Sequence, residues 1–242
     1  MRSGPSNLGP FDPGYADLPG DMPIFPLTNA LLLPGGRLPL NVFEPRYLAM
    51  VRAALQTPDR LIGMVQPIEP NVESRGVEGR GADRSTHADH MPAVHQVGCA
   101  GRIVSFEETP DGRYQLILSG LIRFRIKEER PMAKGGYRVI VPNFQPFAHD
   151  MAEQEFQLAD RPRFLAILQE YLKTRQARLD WKGIEEVADD ELVVAMAQMS
   201  PLDPEEKQSL LECPDLDAVV EMMVALFEVH GVTASGGEHR LH

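Results

Sequence analysis

From about residue 22 to residue 145 the chain alternates short apolar runs with turn residues, the pattern of β-rich structure. The sharpest case is Leu121 to Lys127, where Ile122, Phe124 and Ile126 alternate with Arg123, Arg125 and Lys127. That period of two predicts a strand with one apolar and one solvated basic face. Before it, residues 102–108 and 113–119 flank Thr109-Pro110-Asp111-Gly112. Pro presets φ and Gly tolerates positive φ, so a hairpin is expected there. Residues 137–141 read as a further strand. One helix is expected inside this region. Glu44 and Pro45 suit a first helical turn, and Tyr47, Leu48, Val51 and Leu55 recur at helical spacing.

Beyond about residue 150 the period changes. Phe164, Leu165, Leu168, Tyr171 and Leu172 form one helical stripe, and Leu192, Val193, Met196 and Met199 a second, with Asp189 or Asp190 as its cap. Asp203-Pro204-Glu205-Glu206 has the spacing of a capping box with Pro at the first helical position. A last stripe runs through Leu216, Val219, Val220, Met223, Leu226 and Phe227. Strands followed by packed helices indicate an α+β fold. The expected organisation is a Pro/Gly-rich disordered tail over 1–20, a β-domain over 21–149 containing a flexible loop at 67–95, and a helical subdomain over 150–235.

Composition adds charge asymmetry. The chain of 242 residues has a net charge of −11. Residues 1–149 carry 16 Lys/Arg against 15 Asp/Glu, and the remainder 8 against 20. An acidic helical part repels phosphate backbones, which argues against nucleic acid as a partner. Arg123, Arg125 and Lys127, with Arg102 and Arg113, could line a basic face, but no aromatic residue is interleaved on that face to stack on bases, since Phe124 falls on the opposite one. Two distant cysteines, no signal-peptide pattern and no apolar run of membrane-spanning length fit a cytoplasmic protein without a membrane partner.

Motifs that carry chemistry are missing. No phosphate-cradling loop, nucleophile elbow, H-E-x-x-H or C-x-x-C occurs, so neither a cofactor nor an enzyme activity is expected. Ser119-Gly120 reads as a turn. His87, His90 and His95 are the one cluster of potential metal ligands. They fall in the loop-like segment, which offers no scaffold to hold a ligand geometry, so a solvated loop is the simpler reading.

Several motifs occur in a fixed order: Pro23-Ile24-Phe25-Pro26-Leu27, Leu33-Pro34-Gly35-Gly36 and Pro39-Leu40-Asn41-Val42-Phe43-Glu44-Pro45-Arg46-Tyr47, then Gly63-Met64-Val65. Val97-Gly98-Cys99-Ala100-Gly101-Arg102-Ile103, Asp111-Gly112-Arg113-Tyr114 and Gly120-Leu121-Ile122-Arg123-Phe124-Arg125-Ile126 follow, and residues 200–212 come last. Over roughly 22–230 the chain resembles the N-terminal, substrate-recognising domain of the bacterial ATP-dependent protease Lon. The resemblance implies a PUA-like β pseudo-barrel followed by a helical bundle. It implies structural roles for Pro26, Pro34, Phe43, Glu44, Pro45, Arg46, Tyr47, Gly98, Gly120 and Phe124, with Phe43 and Tyr47 anchoring the helix to the barrel.

It also implies recognition without catalysis, since no ATPase or peptidase motif is present. The expected partners are unfolded or tagged polypeptides, together with a protease or chaperone for which the chain acts as adaptor. An RNA-binding PUA-like protein is the alternative. A recogniser of unfolded chains needs exposed apolar surface. Leu27, Leu31 and Leu33 are candidates for it, because the leucines around them exceed what a short strand buries on one face. The competing reading places Leu31, Leu32 and Leu33 in the core.

Overall fold

The apolar runs of the first half fold into six strands in the computed structural model, which describes residues 9, 11–68, 92–152, 155–175, 181–184 and 186–236. They are β1 (Met22–Pro26), β2 (Arg37–Val42), β3 (Leu61–Val65), β4 (Val97–Glu108), β5 (Tyr114–Glu129) and β6 (Arg138–Asn143). Their order is β2-β5-β4-β3-β1-β6, and β6 also pairs with β5. Five strands therefore close on themselves, and β2 extends the sheet beyond β5. β1 and β3 run parallel, so the chain between them must cross over. Helix α1 (Pro45–Leu55) lies in that crossover, with Glu44 as N-cap and Pro45 at the first position.

The hairpin forms as expected, with Gly112 at φ 79° and the Thr109 N–H donating to the Arg113 carbonyl. The two strands expected on either side of Ser119-Gly120 are one, β5. Gly120 is not a turn residue but lies inside the strand, opposite Gly101. The β4–β5 ladder shifts register next to this pair. Such a bulge bends and twists a long strand. Bending lets β5 pair with β2 through residues 114–119 and with β6 through 125–129.

The helical half contains α2 (Arg161–Thr174), α3 (Trp181–Ile184), α4 (Asp189–Met199), α5 (Pro204–Glu212) and α6 (Leu216–Gly236). The capping box at Asp203 and Glu206 is present in full. Ala188, not an aspartate, caps α4. Asp189 instead accepts from the Leu158 N–H at 2.8 Å and pairs with Arg161, tying the starts of α2 and α4 together. α6 is the hub of the bundle, touching α2, α4 and α5. Tyr171 of α2 stacks on Phe227 of α6 at 4.2 Å.

One hydrophobic cluster runs through both halves, from Phe25, Leu31 and Leu118 of the barrel side to Leu168, Val193 and Phe227 of the helices. A second cluster fills the barrel around Phe124, Ile122 and Ile140. Part of the segment expected as a tail is ordered against the sheet: Leu18 packs on the second cluster, and Asp12 lies 3.6 Å from Arg102. The 67–95 segment starts and ends in a short closure, with Pro67 bridged to Val94.

Candidate functional site

Arg123 was expected on a solvated basic face, but it is internal, with 5% of its surface exposed. Its guanidinium meets Asp150 in a two-pronged pair, Nε to Oδ2 at 2.9 Å and Nη2 to Oδ1 at 2.6 Å. It also donates to the carbonyls of Leu211, in the last turn of α5, and of Cys213 and Pro214, just beyond its end. His149 Nε2 lies 3.1 Å from Arg123 and 3.0 Å from the Pro214 carbonyl. It can accept from the first or donate to the second, not both at once. The orphan carbonyls at a helix C-terminus need donors, and Arg123 supplies them from the barrel. It is therefore a clasp between strand β5 and the helical half. Of the other expected basic residues, Arg113 pairs with Asp111 and Arg102 faces Asp12; Arg125 and Lys127 stay exposed. Among the described residues, then, Arg123 is withdrawn from the exposed face that Arg125 and Lys127 keep.

The leucine candidates divide. Leu31 and Leu33 are 2% and 3% exposed, so they offer no surface to a client. Leu27 is half-buried against the same cluster. All three of Leu31, Leu32 and Leu33 are buried because their segment is not a strand. It is irregular backbone pressed between the barrel and α4, so side chains on both of its sides find apolar neighbours. Leu33-Pro34-Gly35-Gly36 forms a turn, with Gly36 N–H donating to the Leu33 carbonyl at 2.9 Å and Gly35 at φ 77°. Pro at the second position and a positive-φ Gly at the third define a type II turn. The turn is locked to Gly120, whose N–H donates to Gly36 and whose carbonyl accepts from Gly35. A Cβ on Gly120 would land on the Leu33 carbonyl. From α4, Gln198 donates to the Leu31 carbonyl at 2.9 Å.

The remaining motif residues have local reasons. Pro26 ends β1 opposite Val65. Tyr47 anchors α1, its ring 4.3 Å from that of Phe25, and burial raises its phenol pKa. Phe43 does not share that role: it is 62% exposed, with Arg113 over its ring. It precedes the helix, so the spacing of four from Tyr47 does not bring both onto one helical face. Arg46 pairs with Glu44 at 2.8 Å. Gly98 is required because Phe124 lies where its Cβ would be.

His87 and His90 lie outside the described residues. His95 is 3.6 Å from Glu205, and among the described residues no group of three potential ligands gathers. Cys99 and Cys213 are free and buried, and burial pushes both thiol pKa values up, away from a reactive thiolate.

What sequence reasoning missed is a groove between α2 and α6, of about 400 Å³ and open to solvent. Phe156, Leu158, Phe164, Val220 and Val224 give it an apolar floor. Asp160, Asp217, Glu221 and Glu228 surround that floor, with Arg163 as the cation lining it. The floor residues on α6 extend the stripe that packs the bundle. A single helical stripe cannot reveal that its margin stays uncovered. A wider depression, about 760 Å³, follows the other side of α6 along α5.

A closed sheet joined through a buried arginine clasp to a helical bundle with an open groove defines a two-part α+β domain. The ATP-dependent protease La (LON) substrate-binding domain matches residues 21–228, and the chain belongs to that family. Lon protease 2 of Myxococcus xanthus is 27% identical over 214 residues, which is 87% of this chain and 24% of that protein. Lon protease of Anaeromyxobacter dehalogenans is 30% identical over 112 residues, 46% of this chain and 12% of the relative. The chain thus spans a minor part of the length of these relatives. A Lon N-terminal domain protein from Xanthomonas campestris shares the fold, with a TM-score of 0.52 at 24% identity over 85% of this chain and 97% of that one. The N-terminal domain of a Mycobacterium avium complex Lon protease gives 0.51 at 18% identity, over 87% and 99%. Among the described residues no helix is long and apolar enough to cross a membrane.

Proposed function

We propose that this chain is a non-catalytic module that binds unfolded or tagged polypeptides in the cytoplasm and acts as an adaptor in ATP-dependent proteolysis, its closed sheet being a PUA-like pseudo-barrel. The observation that carries the reading is the α2–α6 groove: an apolar floor left open to solvent in a member of a protease substrate-binding family. Apolar side chains are what an unfolded chain exposes and a folded one hides. The barrel then serves as the rigid body on which the bundle is held, through Arg123 and the shared core. Membership of a family of substrate-binding domains supports polypeptide over RNA as the ligand, and so does the burial of Arg123. The test is fluorescence anisotropy of a labelled client, reduced and carboxamidomethylated so that it cannot fold, against the same client in its native form. Saturable binding of the unfolded form and none of the native form is expected. Equal binding of both, or tighter binding of a single-stranded RNA, would overturn the reading.

A further inference from the structure

We propose that the segments taken by the α2–α6 groove are basic and amphipathic, with apolar side chains for the floor and Lys or Arg between them for the rim. This rests on the polypeptide-recognition reading above and names its substrate class.

The charge of the groove is one-sided. Asp217, Glu221 and Glu228 lie along the exposed side of α6, and Asp160 stands across from them at the start of α2. Among the described residues Asp217, Glu221 and Glu228 enter no ion pair, in contrast to Glu206, which His230 meets at 2.7 Å. Among the described residues Arg163 is the one cation that lines the groove against them. The depression on the other side of α6 repeats the sign with Glu205 and Glu212, and Glu221 and Ala225 line both. The exposed ridge of α6 is thus flanked by carboxylates on both sides, with Met222 as an exposed apolar residue upon it.

These carboxylates border an apolar floor. Low-dielectric walls focus the field of the rim into the groove, favouring ligands of opposite sign. Rim pairs of this kind act on encounter rate and partner choice more than on raw affinity. An acidic client would meet repulsion along the same path, so the groove selects as well as attracts. From Asp217 to Glu228 the helix rises about 16 Å. That length accommodates roughly five residues of extended chain. A short basic-apolar segment is therefore enough to occupy it.

The experiment uses the full chain and two labelled peptides with identical Leu and Phe positions, one with Lys and Arg between them and one with Glu. A reduced, carboxamidomethylated client is the third probe. The expected result is tighter binding of the basic peptide by about tenfold, the factor that three exposed ion pairs of ordinary strength would give. The preference should shrink as salt rises. It should reverse in a Glu221→Lys/Glu228→Lys variant, whose exposed positions leave the fold intact by circular dichroism. Ala225→Trp, at an exposed helix position lining both depressions, should weaken binding of the basic peptide. Equal binding of the two peptides, or unchanged binding in both variants, overturns the inference. Binding of the unfolded client with neither peptide overturns it too, and leaves polypeptide recognition standing. If none of the three probes binds, polypeptide recognition itself falls with it.

Discussion

Replacing Arg123 with Met removes the clasp between the two halves of the molecule and keeps a side chain of similar length. The cost follows from what is left behind. Asp150, whose side chain is 4% exposed, keeps the Arg123 backbone N–H at 2.9 Å but loses its bidentate partner. The carbonyls of Leu211 and Cys213 lose the Arg123 donor in the same step, while that of Pro214 keeps His149 within reach. Stranding one member of a buried ion pair costs about 3–5 kcal/mol, and each buried polar group left unsatisfied adds toward the upper end. Domains of this kind are stable by roughly 5–15 kcal/mol, so Arg123→Met should remove a large fraction of the total. Urea denaturation followed by circular dichroism measures it. Asp150→Leu should cost a similar amount. The double variant should lose much less than the two singles added together, because the uncompensated charge is gone. The loss should also depend little on salt, since a buried pair is weakly screened. Losses that simply add in the double variant, or an Arg123→Met effect below about 1 kcal/mol, would refute the clasp, because neither is compatible with a coupled buried pair.

Three further outcomes follow from the packing. Leu31→Ser and Leu33→Ser should each cost about 2–5 kcal/mol in a denaturation experiment, as buried leucines do, whereas Leu27→Ser, half-buried, should cost less. Gly120→Ala should destabilise by about 1–3 kcal/mol through its clash with the Leu33 carbonyl, while Gly20→Ala, with open space around it, should be close to neutral by the same measurement. Lys207 is buried and donates to the Asn29 carbonyl at 3.0 Å, and burial lowers its pKa below the usual 10.5. Below the lowered value both states are protonated and the folded one carries the burial penalty. Between the lowered value and 10.5 the unfolded chain holds the extra proton, so stability should rise with pH across that window. Lys207→Met should flatten this rise in a pH series of melts.

Elements set by local chemistry were legible in the sequence. The Pro-Asp-Gly hairpin, the Asp203 capping box and the helical stripes of α2 and α6 depend on residues within a turn or two of each other. Features set by distant contacts were not. The partners of Arg123 lie 26 to 91 residues away, so a period of two reported its side of the strand but not that the helical half covers that side. Gly120 looked like a turn because glycine usually ends a strand; here it lets the 33–36 turn approach β5. The three leucines looked too many for one face because the pattern assumes a single buried face, and an irregular segment packed on both sides has two. The groove needs the margins of two helices more than fifty residues apart in sequence. Neither margin differs in pattern from a solvated helix edge, and its acidity was visible only as the charge of the whole helical half.

Amide hydrogen exchange with and without an unfolded client tests most directly whether polypeptide is recognised at the groove. Added client should slow exchange in the start of α2 near Phe164 and along α6 from Asp217 to Glu228, and leave β1 to β6 unchanged. Protection confined to the barrel, or none at saturating client, would contradict recognition at this site.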